Sequence, residues 1–157
     1  MNLAARYEDA KRDELVARLR RVVSLRAMVA SGMSQRAIAD DLGISQPAVS
    51  QQLKATPDLQ HVHPEILIEA AAPVLKHVAH EHGYRELAVF GSVARHEATP
   101  TSDIDLLVRA PKDTSTFDFL KFKSLLEESL GRSIDLVEYG GLKPGIDDDI
   151  RSDAVML

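Results

Sequence analysis

The 157 residues hold 45% apolar but only 4% aromatic side chains and no tryptophan, enough for one ordinary domain or two small ones with an aliphatic core. No cysteine is present, which excludes a disulfide framework and a cysteine-bound zinc site. The net charge of −5 is uneven: residues 1–60 carry +2 and residues 61–157 carry −7, so nucleic-acid binding suits the first part and the second is a poor wrapper of a polyanion.

Residues 1–21 are dense in charge and lack the apolar run of a signal peptide. No apolar stretch approaches the roughly 20 residues of a membrane span, so a soluble, cytoplasmic protein is expected. Leu15, Val16, Leu19, Val22, Val23, Met28 and Val29 recur at helical spacing over 8–31. "SQRAIADDLGISQPAVSQQLK" follows at 34–54. Ser34 predicts the N-cap of a helix over 35–42, and Gly43 a sharp turn with a left-handed backbone. Ser45 predicts the cap of a second helix over 46–54, with Pro47 in its first turn. Ile38, Ala39 and Leu42 point inward and Val49 and Leu53 pack back on them, the spacing of a helix-turn-helix. The second helix, as recognition helix, presents Gln46, Ser50, Gln51 and Lys54 to DNA, with Ser45 at its start. Glutamine pairs bidentately with adenine, while serine and lysine suit phosphates. One such helix buries little area, so a homodimer on a two-fold site is expected, with the helix at 8–31 as the natural dimer element.

"ATPDLQHVHP" (55–64) has two prolines and no periodicity and reads as a linker. The expected layout is a helix-turn-helix domain over 1–56, a linker over 57–64 and a second domain over 65–157. Residues 64–83 read as a helix ended by Gly83, with Pro73 predicting a kink or early break. "ELAVF" (86–90), "DIDLLVR" (103–109) and "SIDLVEY" (133–139) read as strands. An amphipathic helix over 114–131 has a Thr or Ser cap and ends at Gly131. The final residues read as a short helix opened by Asp147, Asp148 and Asp149, where negative charge suits the dipole. The expected fold is α+β: an all-α unit, then a small α/β layer with a short mixed sheet. His61, His63, His77, His80 and His82 cluster in sequence without a carboxylate or cysteine at ligand spacing, and read as solvated.

The chemistry concentrates in "GSVARHEATPTSDIDLLV" (91–108). Asp103 and Asp105, two residues apart on a strand, share one face at about 6.6 Å. Their repulsion asks for a cation, and Mg²⁺ takes one or two carboxylates plus substrate phosphates. Gly91, directly after a strand, lets a phosphate approach the backbone, with the Ser92 hydroxyl as a further donor. Arg95 adds positive charge for a phosphate or a local carboxylate. Asp135 on the third strand is the candidate third carboxylate, able to complete a two-metal site or to act as general base toward an acceptor hydroxyl.

Gly-Ser, ten residues, Asp-x-Asp and a later Asp resembles the nucleotidyltransferases of the DNA polymerase β superfamily. The likeness is closer to their short prokaryotic branch, the minimal nucleotidyltransferases, whose run looks like "GSxARGExxxxSDIDLLV". The match includes Gly91, Ser92, Ala94, Arg95, Glu97 and the whole of Ser102–Val108, and it departs at His96, where the family has glycine. The resemblance covers about 65–157. It implies a polymerase β-like fold, with Gly91 and Ser92 on the triphosphate of ATP or another NTP. It implies two Mg²⁺ ions on Asp103 and Asp105 with Asp135 as third carboxylate, and attack of an acceptor hydroxyl on the α-phosphate with release of pyrophosphate. Residues 34–54 likewise resemble the helix-turn-helix of bacterial repressors and DNA-binding antitoxins. Short nucleotidyltransferases of this kind are often antitoxins of HEPN-type ribonuclease toxins. The resemblance therefore implies AMP transfer to such a toxin, with operator DNA bound for autoregulation. Two other readings stay open. One is a transcriptional regulator that binds nucleotide without turnover, which His96 keeps in play. The other is a small-molecule nucleotidyltransferase, against which stands the lack of an acceptor domain in the twenty-two residues after Asp135.

Overall fold

The computed structural model describes residues 2–157. The elements run α1 (Leu3–Ala30), α2 (Gln35–Leu42), α3 (Gln46–Lys54), α4 (Pro64–Glu81), β1 (Arg85–Phe90), α5 (Gly91–Ala94), β2 (Ile104–Arg109), α6 (Thr116–Leu130), β3 (Ile134–Glu138), α7 (Asp148–Asp153) and β4 (Val155–Met156). Local chemistry sets many of these bounds. Ser34, Ser45 and Ser115 accept hydrogen bonds from the backbone N–H groups of Ala37, Ala48 and Asp118 at 3.1, 3.2 and 3.0 Å, satisfying otherwise orphaned donors of α2, α3 and α6.

The four strands form one mixed sheet in the order β3-β2-β1-β4. β2 and β3 are parallel, and β1 is antiparallel to both β2 and β4. β4 was not expected: its two residues are too short for an alternating pattern to show, and they are held by pairing with Ala88 and Val89. One face of the sheet buries Leu87, Val89, Ile104, Leu106, Val108 and Ile134 against α1, α4 and α6. The other buries Ala88, Phe90 and Leu107 beneath Leu142, with Ile150 and Ala154 packed alongside. By strand alternation Asp105 belongs to this second face, with Leu107.

The core runs across the segment expected to be a linker. Val16, Leu19, Val23 and Ala27 of α1 lie in the same cluster as α4, α6 and the sheet. Leu25 faces the other way and joins Ile38, Ala39 and Val49 of α2 and α3. α1 is therefore a shared spine, and from Val16 to Ala27 its apolar face is spent within the chain. Its first half is the more uncovered, with Leu3 and Tyr7 well exposed; toward its end Val29 is exposed as well. The linker itself is folded down: Leu59 is 1% exposed. His63, expected to be solvated, is half-buried and accepts the Glu65 backbone N–H at Nδ1, 3.2 Å away, as the cap of α4.

α4 runs unbroken through Pro73. Proline has no N–H, so the Glu69 carbonyl four residues back loses its helical donor. Arg20 of α1 supplies replacements, with Nη2 at 3.3 Å from the Glu69 carbonyl oxygen and Nε at 2.9 Å from that of Ala70. A donor from another helix thus offsets what the sequence of α4 alone predicts to be a break. Among the described residues, no helix is long and apolar enough to cross a membrane.

Candidate active site

The parallel register of β2 and β3 sets Ile104 against Ile134, Asp105 against Asp135 and Leu106 against Leu136. Neighbouring strands lie about 4.8 Å apart, so the two carboxylates stand side by side. Asp105 is half-buried, and Asp135 is exposed. Burial pushes the Asp105 carboxyl up to about 6; the adjoining Asp135 carboxyl and the charge of Asp103 push the same way, and Arg95 opposes them. Asp103 stands just ahead of β2, exposed and outside the strand on which it was expected.

Above about pH 6 this cluster has negative charge with no compensating partner among its own members. All-oxygen donors and like charge that Arg95 offsets only in part suit a hard divalent cation. Among the described residues, no three acidic or imidazole side chains are gathered closely enough to hold a metal by themselves. A cation here needs further oxygens, as Mg²⁺ commonly takes from substrate phosphates.

Gly91 is required twice over. Its φ of +70° is one that side chains rarely adopt, and a Cβ would run into the Asp105 carboxylate. The cause is the β1–β2 register, which pairs Phe90 with Asp105 and so delivers the next residue onto that carboxylate. Ser92 follows, half-buried, in the single turn of α5, which the buried Val93 anchors to the core. Arg95 ends that turn with both partners acidic: Nε is 3.1 Å from Glu97 Oε2 and Nη1 is 2.5 Å from Asp153 Oδ2. Of the two roles expected for Arg95, the structure therefore shows the carboxylate contact. Asp153 belongs to α7, 58 residues further on, and no local pattern could have signalled it. His96 adopts φ +58° and places Nδ1 2.8 Å from Glu65 Oε1 on α4.

On α3, Ser45 is occupied as a cap and Gln46 donates to Gln35 Oε1 at 2.6 Å. Ser50 is half-buried, while Gln51 and Lys54 are exposed. Arg18 and Arg21 of α1 line a hollow of about 480 Å³ together with Gln52 of α3, a grouping the sequence reading did not make. A larger, mostly apolar hollow of about 710 Å³ lies between α1 and α4, bordered by Met33 and Asp41. It contains none of the paired carboxylates, and the chemistry lies with them.

A family model described as "Nucleotidyltransferase domain" matches residues 73–157. A "putative protein adenylyltransferase" of Methanocaldococcus jannaschii is 40% identical over 75 residues, 48% of this chain and 81% of that protein. A protein adenylyltransferase of Thermococcus cleftensis is 41% identical over 71 residues, 45% of this chain and 72% of that protein. A solved structure described as a "putative minimal nucleotidyltransferase" aligns with a TM-score of 0.54 at 33% identity, covering 59% of this chain and 95% of that one.

Proposed function

Because the chain belongs to the nucleotidyltransferase-domain family and is an NTP-using transferase, we propose that it moves AMP from ATP onto a hydroxyl of a partner protein. The observation that carries this reading is the Asp105–Asp135 pair in register beside Gly91. Adenylyl as the group and protein as the acceptor are supported by the names of the relatives from Methanocaldococcus and Thermococcus.

Asp103, Asp105 and Asp135 would hold the divalent metal together with phosphate oxygens. When bound, it supplies positive charge for the attacking and leaving oxygens of an in-line displacement. Gly91 lets the start of α5 lie directly against the Asp105 carboxylate, and in this reading the Ser92 hydroxyl and the neighbouring backbone donate to the triphosphate there. The acceptor hydroxyl attacks the α-phosphorus, the bond to the β-phosphate oxygen breaks, and pyrophosphate leaves. In this reading Asp135 takes the acceptor's proton, which is supported by its being the more exposed of the pair. Arg95 reaches a phosphate only by exchanging Glu97 or Asp153 for it.

The same proposal assigns α2 and α3, which rest on Leu25 of α1, to a helix-turn-helix that binds operator DNA as a homodimer. Gln51 and Lys54 are its exposed contacts, with Ser50 beside them. A HEPN-type toxin is the proposed acceptor, and cytoplasmic Mg²⁺ and ATP are the cofactor and substrate. A second reading, a nucleotide-binding regulator without turnover, is favoured by one observation: the double engagement of Arg95 by acids.

The test is label transfer from α-labelled ATP with Mg²⁺ in host lysate, for wild type and Asp103→Asn. The proposal expects a labelled protein band that falls by about 10³-fold in the variant. Label confined to a small molecule would remove the protein acceptor. ATP binding without label would leave the regulator.

A further inference from the structure

Arg132 lies in the turn between α6 and β3 and is half-buried. Its guanidinium donates to main-chain carbonyls of two distant segments. Nη1 is 2.8 Å from the Val62 oxygen and 3.5 Å from that of Leu59, and Nη2 is 2.9 Å from that of Ser102. Val62 and Leu59 belong to the folded segment between α3 and α4. Ser102 is the residue immediately before Asp103.

That position matters because Asp103 precedes the first residue of β2. A turn ties Ser102 to Thr99, through its N–H at 3.0 Å and its Oγ at 2.8 Å, but the carbonyl side of the Ser102–Asp103 peptide is held by Arg132, and the Asp103 side chain is exposed. An untethered carboxylate there would sample many directions. Arg132 narrows that freedom from the backbone side, since its planar fork fixes the plane of the peptide that leads into Asp103. Asp103 is also close enough for its negative charge to favour the Arg132 cation against the cost of burial.

We propose that Arg132 is a positioning residue for the transfer reaction: it anchors the Ser102–Asp103 peptide to the folded 59–62 segment, and so sets the place at the head of β2 from which the Asp103 carboxylate joins Asp105 and Asp135 on a metal. This rests on the reading of Asp103 as a metal-holding carboxylate. Lysine cannot replace the arginine, because an ammonium is a point donor and does not span two segments in one plane.

The first readout is binding of Mn²⁺, followed by electron paramagnetic resonance in the presence of α,β-methylene-ATP. The second is the label-transfer rate as a function of Mg²⁺ and ATP. Wild type, Arg132→Met, Arg132→Lys and Asp103→Asn are compared below their melting temperatures. In Arg132→Met, Mn²⁺ affinity and kcat should each fall about 10–100-fold. Half-saturating Mg²⁺ should rise in step, and KM for ATP should move less than about twofold, since Gly91 and Ser92 are untouched. Arg132→Lys should recover most of any lost Tm and little of the lost kcat.

A simple brace behaves differently: it lowers Tm and leaves Mg²⁺ dependence and Mn²⁺ affinity as in wild type. That result overturns the proposal, as does recovery of full kcat in Arg132→Lys. Asp103→Asn separates the two layers of argument. If it keeps Mn²⁺ affinity and transfer, the carboxylate reading itself falls. If it loses both while Arg132→Met keeps both, that reading stands and the positioning role is wrong.

Discussion

Two glycines with nearly the same backbone serve two different parts of the molecule. Gly43, between α2 and α3, has φ +68°, and Gly91, the first residue of α5 directly after β1, has φ +70°. A Cβ on Gly43 would meet nothing within 4 Å, whereas one on Gly91 would meet the Asp105 carboxylate. At Gly43 the residue serves the local path of the chain. At Gly91 it serves the approach of one strand's end to another strand's functional group. The α2–α3 hairpin is thus specified from within its own segment, and the carboxylate edge is specified by strand register.

Alanine at each position tests this contrast most severely. Both substitutions force a side chain into the left-handed region, at about 1–2 kcal/mol each. Gly91→Ala must also displace Asp105, and a misplacement near 1 Å at reacting groups costs about 10²-fold in rate. The expected outcome is a transfer rate lower by at least about 10²-fold for Gly91→Ala and unchanged for Gly43→Ala, at similar losses of Tm. Equal rates in the two variants would mean that the crowding at Gly91 has no bearing on catalysis.

The electrostatics of the edge give a second test. Asp105 has its folded pKa raised to about 6, above the ordinary aspartate value near 3.9. Between these values the native state binds more protons than the unfolded state. Stability therefore falls as pH rises through that window and stays low above it. Asp105→Asn removes this slope. In EDTA, the variant should melt higher than wild type at about pH 7.5 and should lose that advantage near pH 4. A wild-type Tm that does not fall between pH 4 and 6.5 relative to Asp105→Asn would mean that burial and the neighbouring carboxylates do not hold the Asp105 proton.

The same contrast explains what was legible in the sequence. Ser34, Gly43, Ser45 and Pro47 each act within a few residues of themselves, so α2 and α3 lie where local chemistry placed them. Gly91 and Asp105 stood out through type and spacing. Their contact, however, exists only because Phe90 pairs with Asp105, and the place of Asp135 only because β3 is parallel and in register. The ties of Arg95 to Asp153, Arg20 to α4, and Arg132 to Val62 and Ser102 span 58, 50, 70 and 30 residues, respectively. No periodicity encodes such pairs. Arg20 is also why the break expected at Pro73 is absent: the donor that rescues the helix belongs to another helix. The short β4 was missed for a related reason, since its identity as a strand comes from its neighbour.

His96 gives the smallest expected effect, and the sign rests on three terms. Its φ of +58° costs about 1–2 kcal/mol for a residue with a Cβ. Its bond to Glu65 is a surface contact, with the imidazole 86% exposed, worth a few tenths of a kcal/mol. Glycine would relieve the first term and lose the second, and it would also give the unfolded chain more freedom, at about 0.4–1 kcal/mol. The net expectation for His96→Gly is a gain of about 0.5 kcal/mol, a Tm rise of roughly 1–2 °C. His96→Ala keeps the strain and loses the Glu65 contact, so it should melt slightly below wild type. The order Gly above His above Ala, by calorimetry, would identify His96 as a strained loop residue. Transfer rates and KM for ATP should then agree among the three within about twofold. A rise in KM shared by both variants would instead place the imidazole against the nucleotide, and would make His96 part of the site that the resembling family builds with glycine.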